Sequence, residues 1–440
     1  EIVAYALPGE VHHHIPIATT GVLAAGCALR SARTGAAAGR AMGVWAAVGL
    51  WLTPEGMPFA LAAFGGLGLF WLLHPETREP GRGLRAGGTS LVLAVAAALA
   101  IDPPYAGYAA AVFDRLSIVY LVLAAIVCAI GWLLWRLDGW DLRRWLRAAI
   151  GGAAAVAGIS LWLALFPSLA AGPAGLVGAA DAQAFFGAIA EMQPIRSAAD
   201  AISLVGGGAL ATLAAGGIAW RARSPLWAYA ALCGGLTVLL GLLHRRFATY
   251  PEIAVLAMLP VVLQAVDRAS AWRSPPIRAA LRLATIALFV LAPALAGMAA
   301  RRPASAAAAA DAARCDPRSL EAPLRPYSGQ IVIADPGDAP GLLYWTQLRT
   351  VGSLYLRDVA AYLRLRAAWR SMPSDAVPEA VRATGATLVL VCPTSRRSLL
   401  VADLPPDTLL DRLDAGNPPP WLQSLGIGAA SGYRLYRIVR

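Results

Sequence analysis

No lysine occurs in this 440-residue chain; all 37 of its Lys+Arg positions are arginine. That bias reads as the mark of a GC-rich bacterial genome. Charge of either sign is sparse. Only 14% of residues are charged, against roughly 25% in a soluble globular chain. Together with 58% hydrophobic residues, in runs long enough to cross a bilayer, this excludes an ordinary soluble protein and gives a polytopic membrane protein. The net charge of +11 then calls for no nucleic acid, because membrane proteins gather arginine in loops on one side. Mid-span ionisable residues are almost absent too, and an ion-coupled transporter needs one there. Chemistry is therefore expected at one membrane face. Cysteine is scarce. Cys27, Cys128 and Cys233 lie in apolar spans and act there as small hydrophobes. Cys315 and Cys392 lie in the tail, where they either form one disulfide in an oxidising compartment or remain free thiols. The chain opens on Glu1, with no methionine and no signal-peptide pattern, so preceding spans are expected to be missing.

Ten hydrophobic runs are present, at about 15–30, 40–53, 57–74, 88–101, 116–135, 148–167, 199–220, 225–243, 251–266 and 279–299. Several approach the lower length for a straight span, about 17 residues. Beyond Arg301 the composition changes. An Ala-rich linker, 301–318, leads to a mixed pattern over 319–440. There "QIVIAD", "RTVGSLY", "TLVLVC" and "YRLYRIV" read as strands. "DVAAYLRLRAAWRSM", "VPEAVRATG" and "PDTLLDRLDAG" read as helices. The expected fold is a polytopic α-helical membrane bundle over 1–300 with about ten spans, followed by a small C-terminal α/β domain.

Loops after odd-numbered spans hold fifteen arginines and loops after even-numbered spans hold four. By the positive-inside rule the odd loops face the cytoplasm. The even loops, the N-terminal histidines and the tail then face outward. The outer face collects Glu10 with His12, His13 and His14, then Glu55, Asp102, Asp114, Glu191, Gln193 and Arg196, and finally His244, Arg245, Arg246 and Tyr250.

The stretch "PGEVHHHIPIATT" is either a polar cap on a span or a ligand set. On extended backbone side chains alternate, which would point His12 and His14 the same way and His13 away. Two imidazoles and the Glu10 carboxylate suit a divalent cation of the zinc, nickel, iron or copper type. In "AFFGAIAEMQP", Phe185, Phe186, Ile189 and Met192 follow helical spacing, which predicts an amphipathic helix at the membrane surface. Glu191 ends it, as a solvated carboxylate or as one placed over a reaction centre. Arg245 and Arg246 break the positive-inside trend. They are either tolerated or an anion site, since the guanidinium fork binds phosphate in a bidentate way.

The order of these elements resembles the catalytic subunit of archaeal and bacterial oligosaccharyltransferases, within the GT-C class of glycosyltransferases. That family carries an outer-face G-x-x-D-H-H motif, which reads Gly9-Glu10-Val11-His12-His13-His14 here. Its loop Glu motif corresponds to Glu191-Met192-Gln193-Pro194, and its Arg-Phe to Arg246-Phe247, followed by Tyr250. The family has thirteen spans, ten of them after the D-H-H motif, and ten are read here. The resemblance implies a divalent metal on His12 and His14, manganese or magnesium in the family. His12 stands where the family has aspartate, which removes a negative charge and shifts metal preference. It implies that Glu191 serves catalysis and that Arg246, with Arg245, Gln193 and Tyr250, serves substrate binding. The implied partners are a polyprenyl-linked sugar donor and the lipid bilayer, and the implied location is a bacterial inner membrane with the tail periplasmic. The family's W-W-D-Y-G motif is absent, so Asn-x-Ser/Thr recognition is not expected and the acceptor stays open. Two rival readings remain: a non-catalytic transporter or envelope-assembly factor, and a degenerate member of the same class.

Overall fold

The computed structural model describes residues 13–170, 179–187, 189–300, 315–355, 358–372, 374–393, 407–427 and 432–439. Glu10 and His12, two of the expected metal ligands, lie outside them. By contact the chain divides into two compact units. One is Glu1–Gly172 with Pro194–Arg301; the other is Pro173–Gln193 with Arg302–Arg440.

The first unit is a helical bundle: α1 (His14–Thr34), α2 (Ala36–Leu52), α3 (Met57–Leu73), α4 (Glu79–Ile101), α5 (Ile118–Leu137) and α6 (Arg144–Leu165). After these comes α7 (Ala179–Phe186), which belongs to the second unit. The bundle resumes with α8 (Ala198–Ala222), α9 (Pro225–Leu243) and α10 (Pro251–Ala269). It ends with α11 (Pro275–Ile286) and α12 (Ala292–Ala300), joined by a π turn at Ala287–Leu291. Among the described residues nine helical segments are long and apolar enough to cross a membrane, and α2 is a shorter apolar one. Each of the ten hydrophobic runs therefore falls on a helix. The longest departure is at α4, which starts at Glu79 rather than near 88. Pro80 is preset for a first turn, and Arg82 donates to Glu79 at 2.7 Å across one turn.

In lipid, apolar burial gives helices little reason to associate, so close backbone approach matters more. Gly39 and Gly43 on α2 meet Gly83 and Gly87 on α4. A Cβ at Gly39 would collide with the Gly83 carbonyl, and one at Gly43 with the Gly87 carbonyl. Each pair has the four-residue spacing that puts small residues on one helix face. At the far end of α1, Gly35 takes φ +69 and turns the chain directly into α2. On the face where α5 ends, Trp71 Nε1 donates to Asp138 at 2.6 Å, and the buried Arg147 guanidinium lies 3.6 Å from the same carboxylate oxygen.

The second unit holds a five-stranded sheet of order β2-β1-β3-β5-β4. The strands are β1 (Ile331–Ile333), β2 (Arg349–Thr350), β3 (Leu388–Val391), β4 (Leu422–Leu425) and β5 (Arg434–Ile438). The β1, β2 and β3 pairings are parallel, whereas β5 runs antiparallel to β3 and β4. Every residue of β3 is buried. Leu388 and Leu390 pack with Leu320, Leu324 and Leu342 on one face, while Val389 and Val391 pack with Val359, Tyr362 and Trp369 on the other. A strand covered on both sides reads as a continuous apolar run, as "LVLV" does. Cys315 and Cys392 are disulfide-bonded, which closes the alternative of two free thiols. A helix carrying Phe185 forms, but α7 ends at Phe186, so Ile189, Glu191 and Met192 lie beyond it, and its apolar side is turned inward rather than onto a membrane surface. Phe185 is 1% exposed and meets the Tyr362 ring edge-on at 5.1 Å, inside this unit's own core.

Candidate functional site

Three corners of the bundle meet at one end. The first is the start of α1. His13 already has helical backbone angles, φ −71 and ψ −11, so adjacent side chains splay by a helical step instead of alternating as on a strand. The rings of His13 and His14 stack with centroids 4.6 Å apart. His13 therefore points with its neighbour, contrary to the extended-chain expectation.

The second corner joins α2 to α3. Thr53 accepts the Glu55 N–H at 3.4 Å and opens the short turn Pro54–Gly56. That turn carries the Glu55 carboxylate to the histidines. The third corner is the turn Arg245–Phe247 between α9 and α10. Tyr250 precedes Pro251, the first residue of α10, and is fully buried against the edge of Phe59 with centroids 4.7 Å apart.

The side chains interlock. His14 Nδ1 and the Tyr250 hydroxyl are hydrogen-bonded at 2.8 Å. Arg246 Nη2 donates to Glu55 Oε1 at 2.8 Å and lies 3.3 Å from His13 Nε2. His13 Nε2 is also 3.3 Å from Glu55 Oε2. The side chains of Arg246 and Glu55 are 20% and 22% exposed, enough access for a ligand and too little for bulk screening.

One potential donor atom from each of His13, His14 and Glu55 falls within 4.8 Å of the others. Two imidazoles and one carboxylate fit a divalent transition metal of the zinc type. The His14–Tyr250 bond holds the buried imidazole at Nδ1, as outer-sphere partners orient metal-bound histidines. Arg246 in turn holds the carboxylate with a fixed positive charge. A metal at Glu55 and Arg246 on the same oxygens would repel each other unless an anion sat between them.

Of the residues expected from the sequence, the structure brings His14, Arg246 and Tyr250 together. Arg245 turns the other way and pairs with Asp200 of α8 at 2.8 Å. Glu191 and Gln193 belong to the second unit, and the cluster is made without them. There Glu191 is exposed on the turn Ala190–Met192, and Gln193 Nε2 donates to the Phe186 carbonyl at 2.6 Å. Glu55 and His13 are the members that sequence reasoning left without a role. Glu55 pairs with residues 42 and 191 positions away, and its one signal was a carboxylate in a turn between two spans on the histidine side.

An apolar groove of about 280 Å³ leads away from the cluster between α1, α3, α8, α9 and α10. Tyr250 and Phe59 form part of its wall, alongside Val22, Ala215, Trp227 and Met258.

The chain aligns over 88% of its length with the archaeal oligosaccharyltransferase AglB from Archaeoglobus fulgidus, solved with an inhibitory peptide and a dolichol-phosphate. That match has a TM-score of 0.64 and 14% identity, and covers 53% of that chain. Two further Archaeoglobus fulgidus oligosaccharyltransferase structures match over the same 88%, each at 13% identity. One is tethered to an acceptor peptide containing the NVT sequon, with a TM-score of 0.59 over 52% of that chain. The other is a complex with Zn and sulfate, with a TM-score of 0.53 over 50% of that chain. The chain therefore has the fold of these membrane proteins, as its motif order implied, and spans about half their length. No protein-family model and no curated protein matches it.

Proposed function

We propose that this protein transfers a sugar or oligosaccharide from a polyprenyl-phosphate or -pyrophosphate carrier to an acceptor at the membrane face bearing His13, His14, Glu55 and Arg246. One observation carries the reading. Arg246 is held by Glu55 where the groove wall, Tyr250 and Phe59, meets the two histidines. A carrier has the matching halves: an anionic phosphate for the guanidinium and an isoprenoid tail for the groove.

In the reaction the bond between the anomeric carbon and the phosphate oxygen breaks, and its electron pair goes to the phosphate. A new bond forms from that carbon to the acceptor nucleophile, whose proton passes to a base. Arg246 binds the phosphate and offsets the charge it gains, which is the differential stabilisation that lowers the barrier. Glu55 aims Arg246, and Tyr250 fixes the His14 ring. His13, His14 and Glu55 would hold a divalent cation, which supplies further neutralisation of the leaving phosphate when bound. For Glu191 the motif alone supports a role on the acceptor side. The disulfide supports placing the tail in an oxidising compartment, as the arginine asymmetry does, and both fit a periplasmic tail on a bacterial inner membrane.

The test is transfer of labelled sugar from a polyprenyl-linked donor by the protein reconstituted in liposomes, with and without added manganese or zinc. Metal-stimulated transfer that falls with Arg246→Ala supports the reading. No transfer from any polyprenyl-linked donor by a folded, full-length protein sinks it.

A further inference from the structure

At the opposite end of α1 from the histidines lies a second cavity, of about 820 Å³. The distance from His14 to Arg30 along the helix is about 24 Å at 1.5 Å per residue, so the two sites sit near opposite faces of a bilayer. Arg30 and Arg33 line this cavity, with Phe70, His74, Thr77 and Ser224. Two arginines at this end, Arg82 and Arg147, are matched by the carboxylates of Glu79 and Asp138. Arg30 and Arg33 form no ion pair among the described residues, no acidic residue is among those lining the cavity, and Glu76, two positions from the lining His74, is bonded to that histidine at 2.7 Å.

Two more features favour an anion here. Ser224 begins α9, a 19-residue helix, and its hydroxyl makes no capping bond. The positive end of that helix therefore faces the cavity that the two guanidiniums line. Leu29 and Leu226 line both this cavity and the apolar groove, so an anion bound here has a hydrocarbon path running up the bundle.

We propose that this cavity binds the phosphate headgroup of an anionic glycerophospholipid, with Arg30 and Arg33 on the phosphate and an acyl chain in the lower groove. Basic pockets between transmembrane helices at an arginine-rich face select such lipids. A free phosphate offers the same charge but no use for the groove. The headgroup site is distinct from the histidine cluster and does not need the glycosyl-transfer reading, although its acyl chain would share the apolar groove with a carrier tail.

Native mass spectrometry of the detergent-purified full chain, incubated with phosphatidylglycerol or with phosphatidylcholine of the same acyl chains, tests this. The wild type should retain one phosphatidylglycerol in preference to phosphatidylcholine, and millimolar inorganic phosphate should not displace it. R30Q/R33Q should reduce the preference by roughly 30-fold, the sum of two surface-basic contacts. Ser224→Asp, which puts a favoured N-cap residue type at this position and adds a negative charge, should also reduce retention, and it serves if the double variant fails to fold. R40Q/R136Q, at exposed arginines outside the cavity, should leave the preference unchanged. Equal retention of both lipids, or a preference that survives both R30Q/R33Q and Ser224→Asp, overturns the proposal. Displacement by inorganic phosphate overturns the lipid as its occupant.

Discussion

Tyr250 and His14, 236 residues apart, are joined by a 2.8 Å hydrogen bond between the tyrosine hydroxyl and Nδ1. The bond fixes the orientation of the His14 ring stacked beside His13. Tyr250→Phe keeps the ring packed on Phe59 and removes only the hydroxyl. Metal affinity, read by calorimetry with zinc or manganese, should fall about 10- to 100-fold, the usual cost of losing an outer-sphere partner. Stability should also fall, by about 1–3 kcal/mol, because a hydrogen bond between two buried groups is lost. Unchanged affinity would mean that the hydroxyl does not orient a ligand.

Glu55 links Arg246 to His13. Glu55→Gln keeps the shape and removes the charge, so the same calorimetry should show metal binding lost, while the Arg246 guanidinium, no longer neutralised by a carboxylate, should still attract phosphate. A variant that binds metal like the wild type would remove Glu55 from the ligand set.

The bundle was legible because hydrocarbon demands long apolar runs, and each run became a helix. The buried strand β3 was legible for the same reason. Strand β4 was not: Leu422-Gln-Ser-Leu425 is half exposed and carries no β-branched residue. The candidate site was half legible. Adjacent arginines look alike in sequence, yet a tight turn sends Arg245 to Asp200 and Arg246 to Glu55. The histidines were misread because alternation was assumed where a helix begins, and only tertiary packing decides that.

The Cys315–Cys392 bond spans 77 positions and ties the segment before the sheet to the residue that follows β3. Replacing both by serine should cost the second unit about 2–4 kcal/mol, typical for such closures, read as denaturant unfolding of the full chain under non-reducing conditions. A loss below roughly 0.5 kcal/mol, the scatter expected for neutral surface changes, would contradict a structural role.

Asp338 is half-buried near the Asp335 carboxylate. Burial and that like charge push its carboxyl up to about 6, against the pull of a hydrogen bond from Tyr433. The unfolded chain gives up this proton near pH 4. Between about pH 4 and 6 the native state holds a proton that the unfolded state has lost, so stability falls as pH rises through that window. Asp338→Asn cannot ionise. Its melting temperature should match wild type below pH 4 and exceed it above pH 6.5, with the gap opening between. A gap independent of pH would refute the assignment.

The central claim is that the cluster holds the phosphate of a lipid carrier. Binding of polyprenyl phosphate to the purified chain, measured for the wild type and Arg246→Ala, tests it most directly. Loss of a charge-assisted contact of about 1.5–3 kcal/mol predicts roughly 10- to 100-fold weaker binding in the variant. Equal affinity in wild type and variant, with both folded, would contradict it.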